Sequence, residues 1–263
     1  MMDPDTVVAP GTWEASLRAA GAGIDAVESL RRGEADTAFL AIRPPGHHAG
    51  SHAARGFCIF NNVAVAAAAV TARGEKVAIL DWDVHHGDGT QETFYDRADV
   101  LYLTIHQFPF YPGSGWIDES GSGAGHGTTV NVAVPAYTAG DVLAAAVEEI
   151  FEPVLAAFAP DWVFVSAGYD GHRADPLAEL RFESNDFGWV SRRLLSAYPG
   201  RTVVFLEGGY DLPAIEESSA ATVRGIAGMD FDRPDGSSPA ASWQMLKMAR
   251  EEASHRWPEV QAG

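Results

Sequence analysis

Residues Lys76 to Thr90 read KVAILDWDVHHGDGT, and this stretch decides both the fold class and the kind of site. The apolar run Val77 to Leu80 is typical of a strand buried in a parallel sheet. It is followed within eight residues by three carboxylates and two imidazoles, which are Asp81, Asp83, His85, His86 and Asp88. Such a cluster needs a cation. If the strand continues, its two-residue period places Asp83 and His85 on one face, where their ligand atoms converge on a metal.

The alternative for this cluster is a solvated acidic turn, because turns rich in Asp are common after strands. A solvated acidic turn does not explain why two adjacent histidines are present. In open α/β folds, ligands bind at the carboxyl ends of the buried strands, which is where this cluster lies. The sequence therefore favours a metal site over a solvated turn.

Apolar runs of strand type recur along the chain and alternate with stretches of helical periodicity. The predicted strands are residues 37–42, 77–80, 100–105, 129–134, 162–166 and 202–206. The predicted helices are residues 13–32, 61–73, 140–158 and 185–198. This alternation predicts a mainly parallel sheet covered on both faces by helices. We expect one domain over residues 1–263, in which residues 229–263 form a peripheral tail with one helix around 243–252.

Polar, glycine-rich loops follow the predicted strands and carry histidine or carboxylate side chains. In a doubly wound sheet these loops open at one edge, so residues distant in sequence can meet there. A catalytic metal usually keeps three protein ligands and one open position. Asp175, in the segment SAGYDGHRADPL, is predicted to join Asp83 and His85 as the third ligand. On local sequence alone, an Asp-Pro turn explains Asp175 equally well.

Two adjacent histidines, His47 and His48, follow a predicted strand in the segment RPPGHH. Neighbouring imidazoles point in different directions, which suits a pair of proton-transfer groups better than a shared metal. Each needs a carboxylate to fix its tautomer, and Asp81 and Asp88 are the available acids. Tyr210, in LEGGYD, could donate a hydrogen bond to a developing oxyanion, although an ordinary turn tyrosine is the simpler interpretation. The remaining histidines of interest are expected at the surface: His52, His126, His172 and His255.

The composition limits the partners of the protein. A formal net charge of -18 argues against direct nucleic-acid binding, which needs clustered Lys and Arg, and favours a cationic substrate. Cys58 is the only cysteine, so no intramolecular disulfide can form. No apolar stretch approaches the ~18 residues of a membrane span. We expect a cytoplasmic protein without membrane contact, and the sequence leaves a homo-oligomer open.

Six motifs occur in an order that resembles the histone deacetylase family: RPPGHHA, GFCIFNN, ILDWDVHHGDGT, FYPGSG, SAGYDGHRADPLAEL and LEGGY. The resemblance is to the class II branch and to prokaryotic members that include acetylpolyamine amidohydrolases, and it runs from about Asp5 to Gly228. It implies the three-layer αβα fold shared by arginases and deacetylases. Relatives usually carry several dozen residues before the position of Asp5, so the resemblance implies either a start further upstream or the absence of the family's N-terminal layer.

The resemblance also implies roles for individual residues. Zinc would bind Asp83, His85 and Asp175, and Fe²⁺ suits the same ligand types. His47 and His48 would transfer protons, oriented by Asp81 and Asp88, while Tyr210 polarises the carbonyl. The substrate tunnel would be formed by Gly56, Phe57 and Tyr111, with Asp5 at its rim. A structural K⁺ would be held by Asp81, by main-chain oxygens of Asp83, His85 and Ile105, and by Thr104.

The implied function is zinc-dependent hydrolysis of an N-acetyl amide, with acetyl-lysine or an acetylpolyamine as substrate. Two other hypotheses remain. An arginase-like hydrolase would use two manganese ions and would need further carboxylates near Asp175, where the sequence offers only Asp170 and Asp175. A non-catalytic acyl-group binder or inactive fragment is the third hypothesis, although every implied catalytic residue is present.

Overall fold

The structure is a computed structural model that describes residues 2–261. Six strands form one parallel sheet in the order β1-β6-β5-β2-β3-β4. The strands are β1 (Thr37–Leu40), β2 (Val77–Asp81), β3 (Val100–Gln107), β4 (Thr129–Val134), β5 (Trp162–Ala167) and β6 (Thr202–Leu206). All six lie where the sequence predicted them. Since every pair is parallel, the loops after the strands open at one edge, as expected.

Eight α-helices cover the sheet within residues 2–261. They are α1 (Thr12–Arg31), α2 (Asn62–Thr71), α3 (Asp88–Phe94), α4 (Gly140–Ala146), α5 (Glu152–Phe158), α6 (Ser184–Leu194), α7 (Leu212–Ile226) and α8 (Ala240–Ser254). A π turn, Val147–Phe151, joins α4 to α5, so the predicted helix over 140–158 is continuous. The π turn ends two residues before Pro153, whose ring would crowd the preceding turn of a regular helix.

Two apolar clusters lie on the two faces of the sheet. Along β2, Val77 and Ile79 belong to the cluster under α1 and α2, whereas Ala78 and Leu80 belong to the larger cluster under the other helices. This alternation is the two-residue period of a strand buried on both faces. Each fully buried aliphatic side chain contributes about 1.5–3 kcal/mol of transfer free energy. The predicted three-layer α/β fold is thereby confirmed.

The segment after Gly228 differs from the prediction. Its expected helix is present as α8, but the segment is not peripheral, because it supplies buried side chains to the larger cluster: Leu246, Ala249, Ala253, Trp257 and Val260. Helix α8 packs on the edge strand β4. The indole Nε1 of Trp257 also donates a hydrogen bond to the backbone oxygen of Gly127 at 2.8 Å. The apolar face of β4 needs this cover.

Helices α3 and α7 were not predicted. Helix α3 lies partly within the sequence HGDGT, whose glycines are typical of a loop, and Asp88 in its first turn interacts favourably with the helix dipole. Helix α7 begins after Asp211, whose side chain accepts a hydrogen bond from the backbone nitrogen of Ala214. No helix within residues 2–261 combines the length and apolar character needed to cross a membrane.

A buried neutral histidine on β3 makes the stability of the fold dependent on pH. His106 Nε2 lies 2.9 Å from the backbone oxygen of Gly115, and its Nδ1 lies 3.2 Å from the hydroxyl of Thr104. The carbonyl can only accept, so Nε2 carries the proton and Nδ1 accepts from Thr104. Burial lowers the pKa of His106 well below its usual value, and the neighbouring His86 acts in the same direction.

We predict that H106Q flattens the dependence of unfolding free energy on pH. The unfolded state binds protons below about pH 6.5, whereas folded His106 does not, so the wild-type protein loses stability as pH falls. This histidine contributes at most about 1.4 kcal/mol per pH unit. Urea unfolding at pH 7, 6 and 5 measures the slope. Equal slopes in the two proteins would show that His106 titrates alike in both states.

Candidate active site

Three ligand atoms converge beyond the ends of β2 and β5. Donor atoms of Asp83, His85 and Asp170 all lie within 4.8 Å of one another. His85 Nδ1 is 3.1 Å from Asp83 Oδ1 and 3.1 Å from Asp170 Oδ2. Both carboxylates are fully buried, and burial together with the charge of Asp83 raises the pKa of Asp170. One imidazole and two carboxylates that repel each other in a buried place fit a Zn²⁺ or Fe²⁺ ion.

Asp175, predicted as the third ligand, lies outside this cluster, and Asp170 supplies the third carboxylate there. Asp175 instead accepts hydrogen bonds from the backbone nitrogens of Leu177, at 2.9 Å, and Tyr210, at 2.7 Å. The signal that sequence reasoning missed is the number of residues between each aspartate and the end of β5. Asp170 lies three residues beyond the last residue of β5, whereas Asp175 lies in the loop further on.

Asp83 and His85 do converge, but not through strand periodicity, because β2 ends at Asp81. The backbone nitrogen of His85 donates to Asp83 Oδ1 at 2.9 Å, which closes a turn and brings the imidazole back toward the carboxylate. Two glycines permit this approach: a Cβ atom at Gly168 would collide with Asp83, and one at Gly208 with Asp170. The backbone nitrogen of Gly208 also donates to Asp83 Oδ2 at 2.8 Å.

The histidine pair lies beside this cluster, and each imidazole contacts one of the two carboxylates predicted to orient the pair. His47 Nδ1 is 3.1 Å from Asp81 Oδ2, and His48 Nδ1 is 2.7 Å from Asp88 Oδ1. His47 Nε2 is 3.7 Å from Asp83 Oδ1, so His47 faces the candidate metal ligands. The two ring centroids are 4.1 Å apart. Each carboxylate holds Nδ1 as a donor and leaves Nε2 directed elsewhere.

The two imidazoles have opposite pKa shifts. Burial acts to lower the pKa of His47, but the charges of Asp83 and Asp81 outweigh it and hold that pKa well above its usual value. Burial lowers the pKa of His48 to about 4, and the positive charge of His47 contributes to this shift. The carboxylates around His47 thus favour its charged form, whereas burial next to His47 favours the neutral form of His48.

Glu207 is a buried acid that sequence reasoning missed, although it follows the last residue of β6 directly. Its Oε2 accepts hydrogen bonds from the backbone nitrogens of Gly46, at 2.6 Å, and His47, at 3.2 Å. Its Oε1 accepts one from the hydroxyl of Ser166 at 3.1 Å. Burial raises the pKa of Glu207 to about 7. Glu207 thus ties the histidine loop to the sheet.

A cavity of about 260 Å³ leads to these groups. The predicted tunnel residues all line it, namely Asp5, Gly56, Phe57 and Tyr111, together with Leu177 and Tyr210. Phe57 has a positive φ of 67°, which a bulky residue adopts only when its surroundings hold it. The ring of Phe57 lies 6.5 Å from that of Tyr210, and the ring of Tyr111 lies 5.1 Å from that of His48. Phe110, which was not predicted, stacks on His85 at 5.1 Å.

The residues predicted to hold K⁺ lie next to this site. Thr104 on β3 is the register partner of Asp81 on β2, and both are buried. The Asp81 carboxylate accepts hydrogen bonds from the hydroxyl of Tyr102, at 2.9 Å, and from the backbone nitrogen of Asp83, at 3.1 Å. The K⁺ site, which also includes backbone oxygens of His85 and Ile105, stays a prediction.

One histidine expected at the surface is buried. His172 Nδ1 accepts a hydrogen bond from the backbone nitrogen of Ala174 at 3.2 Å, and its Nε2 lies 3.3 Å from the hydroxyl of Ser184. It therefore links the loop after β5 to α6. His52, His126 and His255 are exposed, as expected.

The parallel sheet carries at its edge an Asp-His-Asp cluster that could hold a metal ion and, beside it, a pair of histidines, an arrangement suited to metal-assisted hydrolysis. The family model "Histone deacetylase domain" matches residues 1–226. The chain therefore belongs to the histone deacetylase family.

Individual relatives support this assignment. A "Probable deacetylase" of Archaeoglobus fulgidus is 37% identical, and the match covers 99% of this chain and 75% of that protein. "Histone deacetylase 10, chloroplastic" of Oryza sativa is 41% identical over 82% of this chain and 52% of that protein. The chain thus spans about half the length of the rice relative. The solved structure of the HDA15 HD domain superposes with a TM-score of 0.90 at 36% identity, covering 98% of this chain and 74% of that one.

Proposed function

We propose that the protein hydrolyses an N-acetyl amide with zinc, releasing acetate from an acetylated lysine side chain or an acetylpolyamine. The observation that carries this proposal is that His48 and Tyr210 line the same cavity as Asp83 and His85, two members of the Asp83–His85–Asp170 cluster. The rings of Phe57 and Tyr111 also line this cavity and would contact a flexible aliphatic stem. The net charge of -18 favours a cationic carrier amine.

Asp83, His85 and Asp170 would hold the metal, which when bound supplies the Lewis acidity that lowers the pKa of water and polarises an acetyl carbonyl. His48 accepts the proton of the attacking water at Nε2, because Asp88 keeps its Nδ1 as a donor. The resulting imidazolium then gives a proton to the leaving amine. His47, whose charged form the carboxylates of Asp83 and Asp81 favour, stabilises negative charge that develops beside it.

Tyr210 donates a hydrogen bond to the developing oxyanion. Burial raises the pKa of its phenol, and the charge of Asp83 adds to the shift, so the hydroxyl stays protonated and able to donate. A structural K⁺ beside Asp81 and Thr104 belongs to the same proposal. Fe²⁺ is the alternative metal, since the ligand set suits both ions. A cytoplasmic location, a homo-oligomer and the absence of nucleic acid also stay predictions.

The arginase-like alternative has less support. Within residues 2–261, only one group of three His, Cys, Asp or Glu residues is placed to hold a metal, and it includes Asp170. Asp175, the other acid that a second manganese would need, binds backbone nitrogens instead. Metal analysis that finds two manganese ions per chain would favour the arginase-like enzyme.

We predict that Y210F lowers kcat about 10²- to 10³-fold, because one oxyanion donor is lost. Zinc content should be unchanged, since no ligand is altered. The assay measures acetate release from an acetyl-lysine peptide and from an N-acetylpolyamine. Y198F is the matched control, because Tyr198 precedes β6 and so lies at the opposite edge of the sheet. Wild-type protein that holds stoichiometric zinc yet releases no acetate from either substrate would overturn the proposed function and favour a non-catalytic binder.

A further inference from the structure

We propose that Asp175 is a positioning residue, which fixes the backbone of Tyr210 and thereby aims the phenol into the cavity. This inference rests on the proposed function, in which Tyr210 donates to the oxyanion. Asp175 thereby has a role other than metal binding. Its carboxylate contacts the backbones of two residues that line the cavity, Leu177 and Tyr210.

The contacts of Asp175 carry the inference. Its Oδ2 accepts a hydrogen bond from the backbone nitrogen of Tyr210 at 2.7 Å, and its Oδ1 accepts one from the backbone nitrogen of Leu177 at 2.9 Å. Asp175 is 7% exposed, so these bonds are largely shielded from water. Its own backbone nitrogen donates to the oxygen of His172 at 2.9 Å. Asp175 is thus fixed within the loop after β5, and its carboxylate holds the backbone of the loop after β6.

Tyr210 has few other restraints. It follows Gly208 and Gly209, and Gly209 has a φ of 136°, which residues with a side chain rarely adopt. Within residues 2–261 the Tyr210 hydroxyl makes no hydrogen bond, and the one aromatic contact of its ring is edge-on to Phe57, at 6.5 Å between centroids. The phenol is 38% exposed at the cavity. The bond to Asp175 is therefore the main directional restraint on this residue.

The substitution D175N separates this role from a general structural one. The Asn side chain has one acceptor oxygen, so it can accept a hydrogen bond from the backbone nitrogen of either Leu177 or Tyr210. Its NH₂ group then faces the other backbone N–H, and two donors cannot bond each other. The side-chain shape is unchanged. A catalytic group displaced by about 1 Å can lose about 10²-fold in rate. We therefore expect D175N to lower kcat about 10- to 100-fold with little change in KM.

A double-mutant cycle tests whether Asp175 acts through Tyr210. Wild type, D175N, Y210F and D175N/Y210F are compared for kcat and KM on an acetyl-lysine peptide. If Asp175 positions the phenol, D175N should change kcat by less than about threefold once the hydroxyl is absent, because coupled residues are not additive. The same fold loss in both backgrounds would overturn the proposal. D161N is the matched control, since Asp161 also accepts from a backbone nitrogen, that of Lys76, at the opposite edge of the sheet.

Two readouts do not depend on activity. D175N should bind zinc with wild-type stoichiometry, and loss of zinc would overturn the positioning role. The amide hydrogen of Tyr210 should exchange at least about tenfold faster in D175N than in wild type, with or without zinc, because its acceptor is weakened. Unchanged exchange would also contradict the proposal. D175E, which keeps both acceptor oxygens but moves them by one methylene, serves as the second variant and should recover part of kcat and of the amide protection.

Failure of the proposed function would look different. Wild-type protein would then show no turnover on acetylated amines, while the exchange measurement would still test whether Asp175 holds Tyr210.

Discussion

D170N is expected to abolish stoichiometric zinc binding and to reduce acetate release more than about 100-fold. Loss of an outer-shell partner of a metal ligand already costs about 10- to 100-fold in affinity or activity, and removal of a ligand charge should cost more. Asp170 is one of the three donors that lie within 4.8 Å of one another, and its Oδ2 is 3.1 Å from His85 Nδ1. Metal analysis after dialysis and acetate release measure the two effects.

In the metal-free protein, His85 Nδ1 contacts both Asp83 and Asp170 at 3.1 Å. Burial acts to lower the pKa of His85, but these two carboxylates outweigh it and raise that pKa to about 10. The imidazolium offsets the repulsion of the two carboxylates, so metal-free D170N should not unfold at a higher urea concentration than metal-free wild type. D175N is the paired control, because it should retain zinc. Zinc bound normally by D170N and lost from D175N would reverse the assignment of the third ligand.

H48A is expected to lower kcat about 10²- to 10⁴-fold and to leave zinc content unchanged. His48 is the neutral base of the proposed reaction, and loss of a general acid-base group has that magnitude. In wild type, protonation of His48 removes the base, so kcat/KM should fall as pH decreases. Because the pKa of His48 is lowered to about 4, this acid limb should lie below pH 6.5, the ordinary range of histidine. The pH profile of kcat/KM measures its position.

Two variants should move the acid limb in opposite directions. The positive charge of His47 lowers the pKa of His48, so H47Q should move the limb to higher pH. The hydrogen bond that His48 donates to Asp88 raises the pKa of His48, so D88N should move the limb to lower pH while reducing kcat. Identical limbs in all three proteins would show that a different group is the base.

Local sequence was sufficient for the strands. The apolar period of Val77 to Leu80 and its counterparts predicted six strands, and each is present in the parallel sheet. Periodicity reports burial on the faces of an element, which depends on near neighbours in the chain. The tail was misjudged because the cover that α8 gives to β4 depends on a contact across the fold. Nothing in the local pattern of residues 229–263 specifies that partner.

The site divides in the same way. The sequence by itself determined which residue types are present and that they follow strand ends: Asp81 and Asp88 were predicted from this as the acids that orient His47 and His48. Only the tertiary structure paired each acid with one histidine and placed Asp170, rather than Asp175, beside Asp83 and His85. The reason is physical, because a donor reaches the metal position only where the backbones approach closely, and the bare Cα atoms of Gly168 and Gly208 permit that approach at Asp83 and Asp170.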